Sequence, residues 1–128
     1  MELTPFFKSI LEEDRAPVVL CGLDHTVLYM NPSAQKRYRK YGGASLLGKS
    51  LLDCHNAASQ KAIEEIIAWF RQSPKNNRVY TSHHSKDNSD IYVIALRDGA
   101  GNLIGYYEKH ENRTPETQAP YAYVSDPE

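Results

Sequence analysis

Residues 51–59, LLDCHNAAS, place a cysteine and a histidine side by side. Thiolate and imidazole are the side chains most used as nucleophile, general base and soft metal ligand, so Cys54 and His55 are the first candidates for chemistry. As a hydrolase the pair is poorly equipped. Nucleophile and base normally come from separate elements, and neither an orienting third group nor an oxyanion loop is evident around them. His83 and His84 are adjacent in a strand-like run, so their rings point to opposite faces and cannot grip one metal. With His25 and His110 they show no ligand spacing, and no metal site is expected. Glu108 shares strand parity with Ile104, Tyr106 and His110, which would turn a carboxylate toward any layer packed on that face.

The elements that position these residues follow from periodicity and turn chemistry. Leu3, Phe6, Phe7, Ile10 and Leu11 form one apolar stripe at helical spacing behind Thr4-Pro5, which predicts a short amphipathic helix over residues 1–15. So short a helix is marginal alone, and its stripe must lie on the domain or on a second copy of the chain. VVLCGL and TVLYM flank Asp24-His25 and predict a hairpin. Asn31-Pro32 stops the second strand and opens a helix, Asn31 as N-cap, with Ala34, Tyr38 and Tyr41 inward and the basic residues of KRYRKY outward. ASLLGKSLLD suggests two helical turns pivoting at Gly48. From Ser59 a longer helix carries Ile63, Ile66, Ile67 and Phe70 on one face and stops before Pro74. RVYTSHHS, DIYVIALRD and LIGYYEKHE, joined by polar turns, predict an antiparallel meander.

Composition removes several classes of function. Fifteen Lys and Arg stand against sixteen Asp and Glu, so no basic excess exists to hold nucleic acid, and the KRYRKY run reads as a solvated helix face. The longest apolar runs fall short of a membrane span, and MELTPFFKSI lacks the layout of a signal peptide; no membrane partner and a cytoplasmic location are expected. Two cysteines, Cys21 and Cys54, make no disulfide framework.

Two strands, several helices, then three strands describe an α+β domain in which a hairpin joins a later meander in one antiparallel sheet, with the helices across one face. GLDHTVLYMNPSA, LLGKSLLD and RDGAGNLIGYY, in that order, resemble the PAS domain family over residues 16–111. The resemblance implies a five-stranded antiparallel sheet with a pocket between its inner face and the helices. Residues 1–15 then form an N-terminal flanking helix and 112–128 a mostly disordered tail. Two departures stand out: His25 replaces the glycine usual in the first turn, and EKHENRT replaces the usual end of the last strand.

What the resemblance implies about function is a non-enzymatic sensory or signalling module that binds a small ligand in that pocket and signals by protein association. The pocket is expected to involve Tyr29, Tyr38, Cys54, His55, Ile66, Phe70, Tyr92, Tyr106 and Glu108, with Trp69 nearby. Leu3, Phe6, Phe7, Ile10 and Leu11 are the expected homodimer contact. The chain shows no kinase, cyclase or DNA-binding domain, so a signalling protein is the expected partner. The alternatives are a ligand-free interaction or dimerisation adaptor, a haem-binding redox or gas sensor using His55 or Cys54, and a Cys-dependent enzyme. Haem or flavin could occupy such a pocket, but no motif specifies either. The LLDCHNAAS junction also has an architectural account, with His55 ending one helical turn and Asn56 capping the next helix.

Overall fold

A computed structural model describes residues 1–126, with the side chain of Cys54 outside the described set. Five strands form one antiparallel sheet in the order β2-β1-β5-β4-β3: β1 (Val18–Gly22), β2 (Val27–Met30), β3 (Arg78–His84), β4 (Ser89–Arg97) and β5 (Leu103–Asn112). The last strand inserts beside the first, Val19 opposite Glu108 and Cys21 opposite Tyr106, so the hairpin and the meander become one surface. Gly105 permits that insertion, because a Cβ there would stand 2.4 Å from the Cys21 carbonyl oxygen.

Across the inner face lie α2 (Pro32–Arg37), short 3-10 turns at Arg39–Tyr41, Gly43–Leu46 and Leu51–Cys54, and α3 (Ala57–Gln72). α3 starts two residues before Ser59 because Asn56 accepts from the Ser59 amide as its N-cap. α2 is shorter than the sequence suggests. It ends at Arg37, and the chain tightens into 3-10 geometry before Gly42 takes a left-handed φ of 112°. Ile63, Ile67 and Phe70 of α3 pack on Val19, Cys21, Val93 and Tyr106 of the sheet. Full burial of an aromatic such as Phe70 contributes on the order of 2 kcal/mol. Arg97 of β4 ties the end of α3 to the sheet, donating to the Phe70 and Ser73 carbonyls that the helix end leaves open and to the Asn76 carbonyl in the following loop.

One side chain joins the N-terminal segment to both layers. Asn31, wholly buried, accepts through Oδ1 from the amides of Val18 and Ala34, 2.9 Å each. Its Nδ2 donates to the carbonyls of Leu11 and Ala16, again at 2.9 Å. It thereby caps α2, starts β1 and fixes the end of α1 (Thr4–Glu13).

α1 does not bury its stripe on the domain. Phe6 and Phe7 are each 58% exposed and Ile10 66%. In the first turn His25 occupies the left-handed region at φ 68°, the conformation for which the family's glycine is suited. β5 ends at Asn112, and residues 113–126 form neither helix nor strand and are exposed.

Asn31→Ala leaves buried amides and carbonyls without partners and should cost about 3 kcal/mol in urea unfolding. Asn31→Asp restores the two acceptor bonds but turns an oxygen toward the Leu11 and Ala16 carbonyls, so it should remain clearly destabilised. A wild-type midpoint for Asn31→Asp would show that only the helix cap matters.

Candidate functional site: a cavity between sheet and helices

Between the inner face and the helical layer lies a partly open cavity of about 820 Å³. Val19, Val27, Met30, Ile91 and Val93 form its sheet wall, and Leu46, Leu51, Ala62, Ile63 and Ile66 its helical wall. Polarity is concentrated in Tyr38, His55 and Glu108, with Arg37, Ser82, His84 and Asp87 also lining it. Strand parity explains the division: Glu108 pairs with Val19 on one side and Val93 on the other, all three turned inward.

Glu108 dominates the electrostatics. Its side chain is 14% exposed. Tyr38 Oη donates to Oε2 at 3.1 Å, while no hydrogen bond reaches Oε1 among the described residues. Burial pushes this carboxyl up, but His110, His55 and the Tyr38 hydroxyl together outweigh it and hold the carboxyl below the ordinary glutamate value. Burial and the charge of Glu108 raise Tyr38 above the usual phenol range, so its hydroxyl stays protonated and donates. His110 is buried behind Glu108 with Nε2 3.9 Å from Oε2, too far for a hydrogen bond, and neither ring nitrogen has a partner among the described residues.

His55 Nδ1 lies 2.9 Å from the Leu51 carbonyl oxygen. A carbonyl only accepts, so Nδ1 carries the proton, and in the neutral ring Nε2 is left as an acceptor. His55 thus serves both of its expected roles at once: it closes the 3-10 turn and it lines the cavity. The same tautomer leaves Nε2 free to ligate a haem iron, which fits the donor requirement of a haem ligand. Cys54, the other expected ligand, lies outside the described side chains.

Of the residues expected at the pocket, Tyr38, His55, Ile66 and Glu108 line it. Tyr29 and Tyr92 do not, because both have the opposite strand parity. Tyr29 donates to Glu12 of α1 at 2.7 Å, and Tyr92 lies under the Arg78 guanidinium with its hydroxyl accepting from Arg113. Phe70 and Tyr106 turn inward but are consumed by the core, Tyr106 Oη meeting His25 Nδ1 at 2.8 Å. Trp69 is 40% exposed on the outer side of α3. Cys21 is no nucleophile: burial pushes its thiol up to about 12.

The polar rim was not legible in the sequence. Arg37, read as a solvated helix residue, stands where α2 ends and pairs with Asp87 at 2.6 Å and with His84 Nδ1 at 2.9 Å. His84 reaches it because a bulge between Tyr80 and Ser82 resets the parity of β3, while His83 turns outward to Asp90.

The domain resembles several solved structures. It matches a PAS domain from Colwellia psychrerythraea with TM-score 0.65 at 10% identity, covering 87% of this chain and 97% of that one. It matches the PAS domain of Bordetella pertussis BvgS with TM-score 0.61 at 15% identity, covering 87% and 86%. A sensory box sensor histidine kinase from Vibrio cholerae gives TM-score 0.59 at 13% identity, covering 87% and 92%. No protein-family model matches the sequence, nor does any curated protein sequence. Sheet order, helical layer and these likenesses define the PAS fold. Among the described residues no helix is long and apolar enough to cross a membrane.

On the outer face, Asp90 accepts from Arg113 Nε and His83 Nδ1 at 2.8 Å each, and Arg113 foremost, then His83, lowers its carboxyl to about 2. A carboxyl depressed on folding stabilises above its unfolded value of about 3.9 and loses that contribution as pH falls through its folded value. An NMR titration should find the Asp90 midpoint near 2, and Arg113→Ala should raise it. A midpoint near 3.9 in the unaltered protein would contradict the pairing.

Proposed function

We propose that this domain is a non-enzymatic sensory module of the cytoplasm. It takes a small ligand into the cavity and passes the signal through association with another protein. The observation that carries this reading is the cavity itself, a partly open, mainly apolar cleft of about 820 Å³ with the Glu108 carboxyl in its wall. A chain using this layer only for packing would fill it with side chains, as Phe70 and Tyr106 fill the adjoining core. Support for a sensory role comes from the likeness to a sensor histidine kinase. A ligand bound between Tyr38, His55 and Ile66 touches the 3-10 turns and α3 together, and stabilises one arrangement of that layer over another.

Readout by association falls to α1, whose exposed Phe6, Phe7 and Ile10 suit a homodimer contact with Leu3 and Leu11 beside them. Light scattering should give a dimer mass for the whole chain and a monomer for Phe6→Asp/Ile10→Asp; an unchanged dimer removes α1 from the role.

A haem-sensing reading is favoured by one observation, the His55 Nδ1 contact with the Leu51 carbonyl, which leaves Nε2 without a partner among the described residues. Haemin titration should then give a Soret shift that His55→Ala abolishes, and a shift surviving that change excludes it.

The ligand reading itself is tested with a fragment library screened by ligand-observed NMR. Ile66→Trp on α3, at a part-buried position lining the cavity, should abolish the binding of fragments that the wild type takes, with the far-UV circular dichroism unchanged. Fragments binding both proteins equally, or none binding the wild type, would favour the adaptor whose cavity serves no ligand.

A further inference from the structure

We propose that the cavity selects a small organic cation, an ammonium or amidinium group carried on an apolar body. The inference rests on the cavity being a ligand site and names what that site takes. Two groups face the same space: the Glu108 carboxylate, whose Oε1 accepts no hydrogen bond among the described residues, and the His55 ring, whose Nδ1 proton is committed to the Leu51 carbonyl and whose Nε2 is an acceptor in the neutral form. Both side chains line the one cavity, so a single bound group can face both.

Among the described residues no charged donor hydrogen-bonds Glu108. Arg37 is held by Asp87 and His84. Tyr38 supplies Glu108 with a single uncharged hydrogen bond. His110 stands 3.9 Å away without donating. A neutral apolar ligand would strip water from an ionised carboxylate and return nothing, and an anion would add repulsion to that loss. An ammonium or amidinium offers several N–H donors and the opposite charge, while Ile63, Ile66, Ile91 and Val93 take its apolar body.

The test is isothermal titration of the whole chain with matched sets: protonated aryl- and alkylamines such as 2-phenylethylamine, alcohols of the same skeleton such as 2-phenylethanol, and carboxylates such as 3-phenylpropanoate. Amines should bind at least roughly tenfold more tightly than their alcohols, the usual advantage of a charged hydrogen bond, and carboxylates should not bind. Glu108→Gln, close in shape, should erase the amine preference while leaving alcohol binding in place. Tyr38→Phe should retain the preference, since it removes a competing donor and keeps the charge. Alcohols or carboxylates equalling the amines, or an amine preference surviving Glu108→Gln, overturns the inference and leaves the ligand reading standing. No binding by any set, together with a fragment screen that finds none, overturns both.

Discussion

Everything in this domain hangs on the buried amide of Asn31. Its oxygen is shared by the first amide of β1 and the amide that opens α2, and its nitrogen by carbonyls at the end of α1 and just before β1. Four backbone groups that would otherwise be orphaned away from water are satisfied by one side chain of two donors and one oxygen. The consequence reaches the cavity. α2 is fixed to the sheet at its first residue, so Arg37 and Tyr38 at its far end are delivered over β5, where Tyr38 can reach Glu108.

The second constraint is the carboxylate on the inner face. An ionised group in an apolar layer is costly unless its surroundings answer it. Here the answer is partial: one hydroxyl, one imidazole held beyond hydrogen-bonding distance, and another whose proton is turned away. A packed core would not keep such an arrangement, and the wall beside it is an open cavity rather than core. The incomplete pairing and the open space are therefore one feature, and the reading of the domain as a ligand site follows from them jointly.

Most of the architecture was legible because local signals agreed. Asn31-Pro32 marked a cap and a first turn, Asn56 a second cap, and alternation on LIGYYEKHE placed Tyr106, Glu108 and His110 on one face. The site was legible in part. Tyr38, His55, Ile66 and Glu108 follow from helix face, turn position and strand parity. Tyr29 and Tyr92 were assigned to the pocket for being aromatic, against their own parity, and the outer face absorbs them through Glu12, Arg78 and Arg113. Arg37, His84 and Asp87 could not be found from the chain alone. They meet only because α2 stops early and β3 is bulged, and both events depend on contacts far apart in sequence.

The claim on which the account stands is that Glu108 is ionised inside the cavity at neutral pH. Site-selective carbon-13 labelling of its carboxyl and an NMR pH titration of the ligand-free protein test it directly. The account predicts a midpoint below the ordinary glutamate value of about 4.3. A midpoint above it would mean that burial prevails over the partners, and one above neutral pH that the group is a neutral acid facing the cavity and that no cation is called for there.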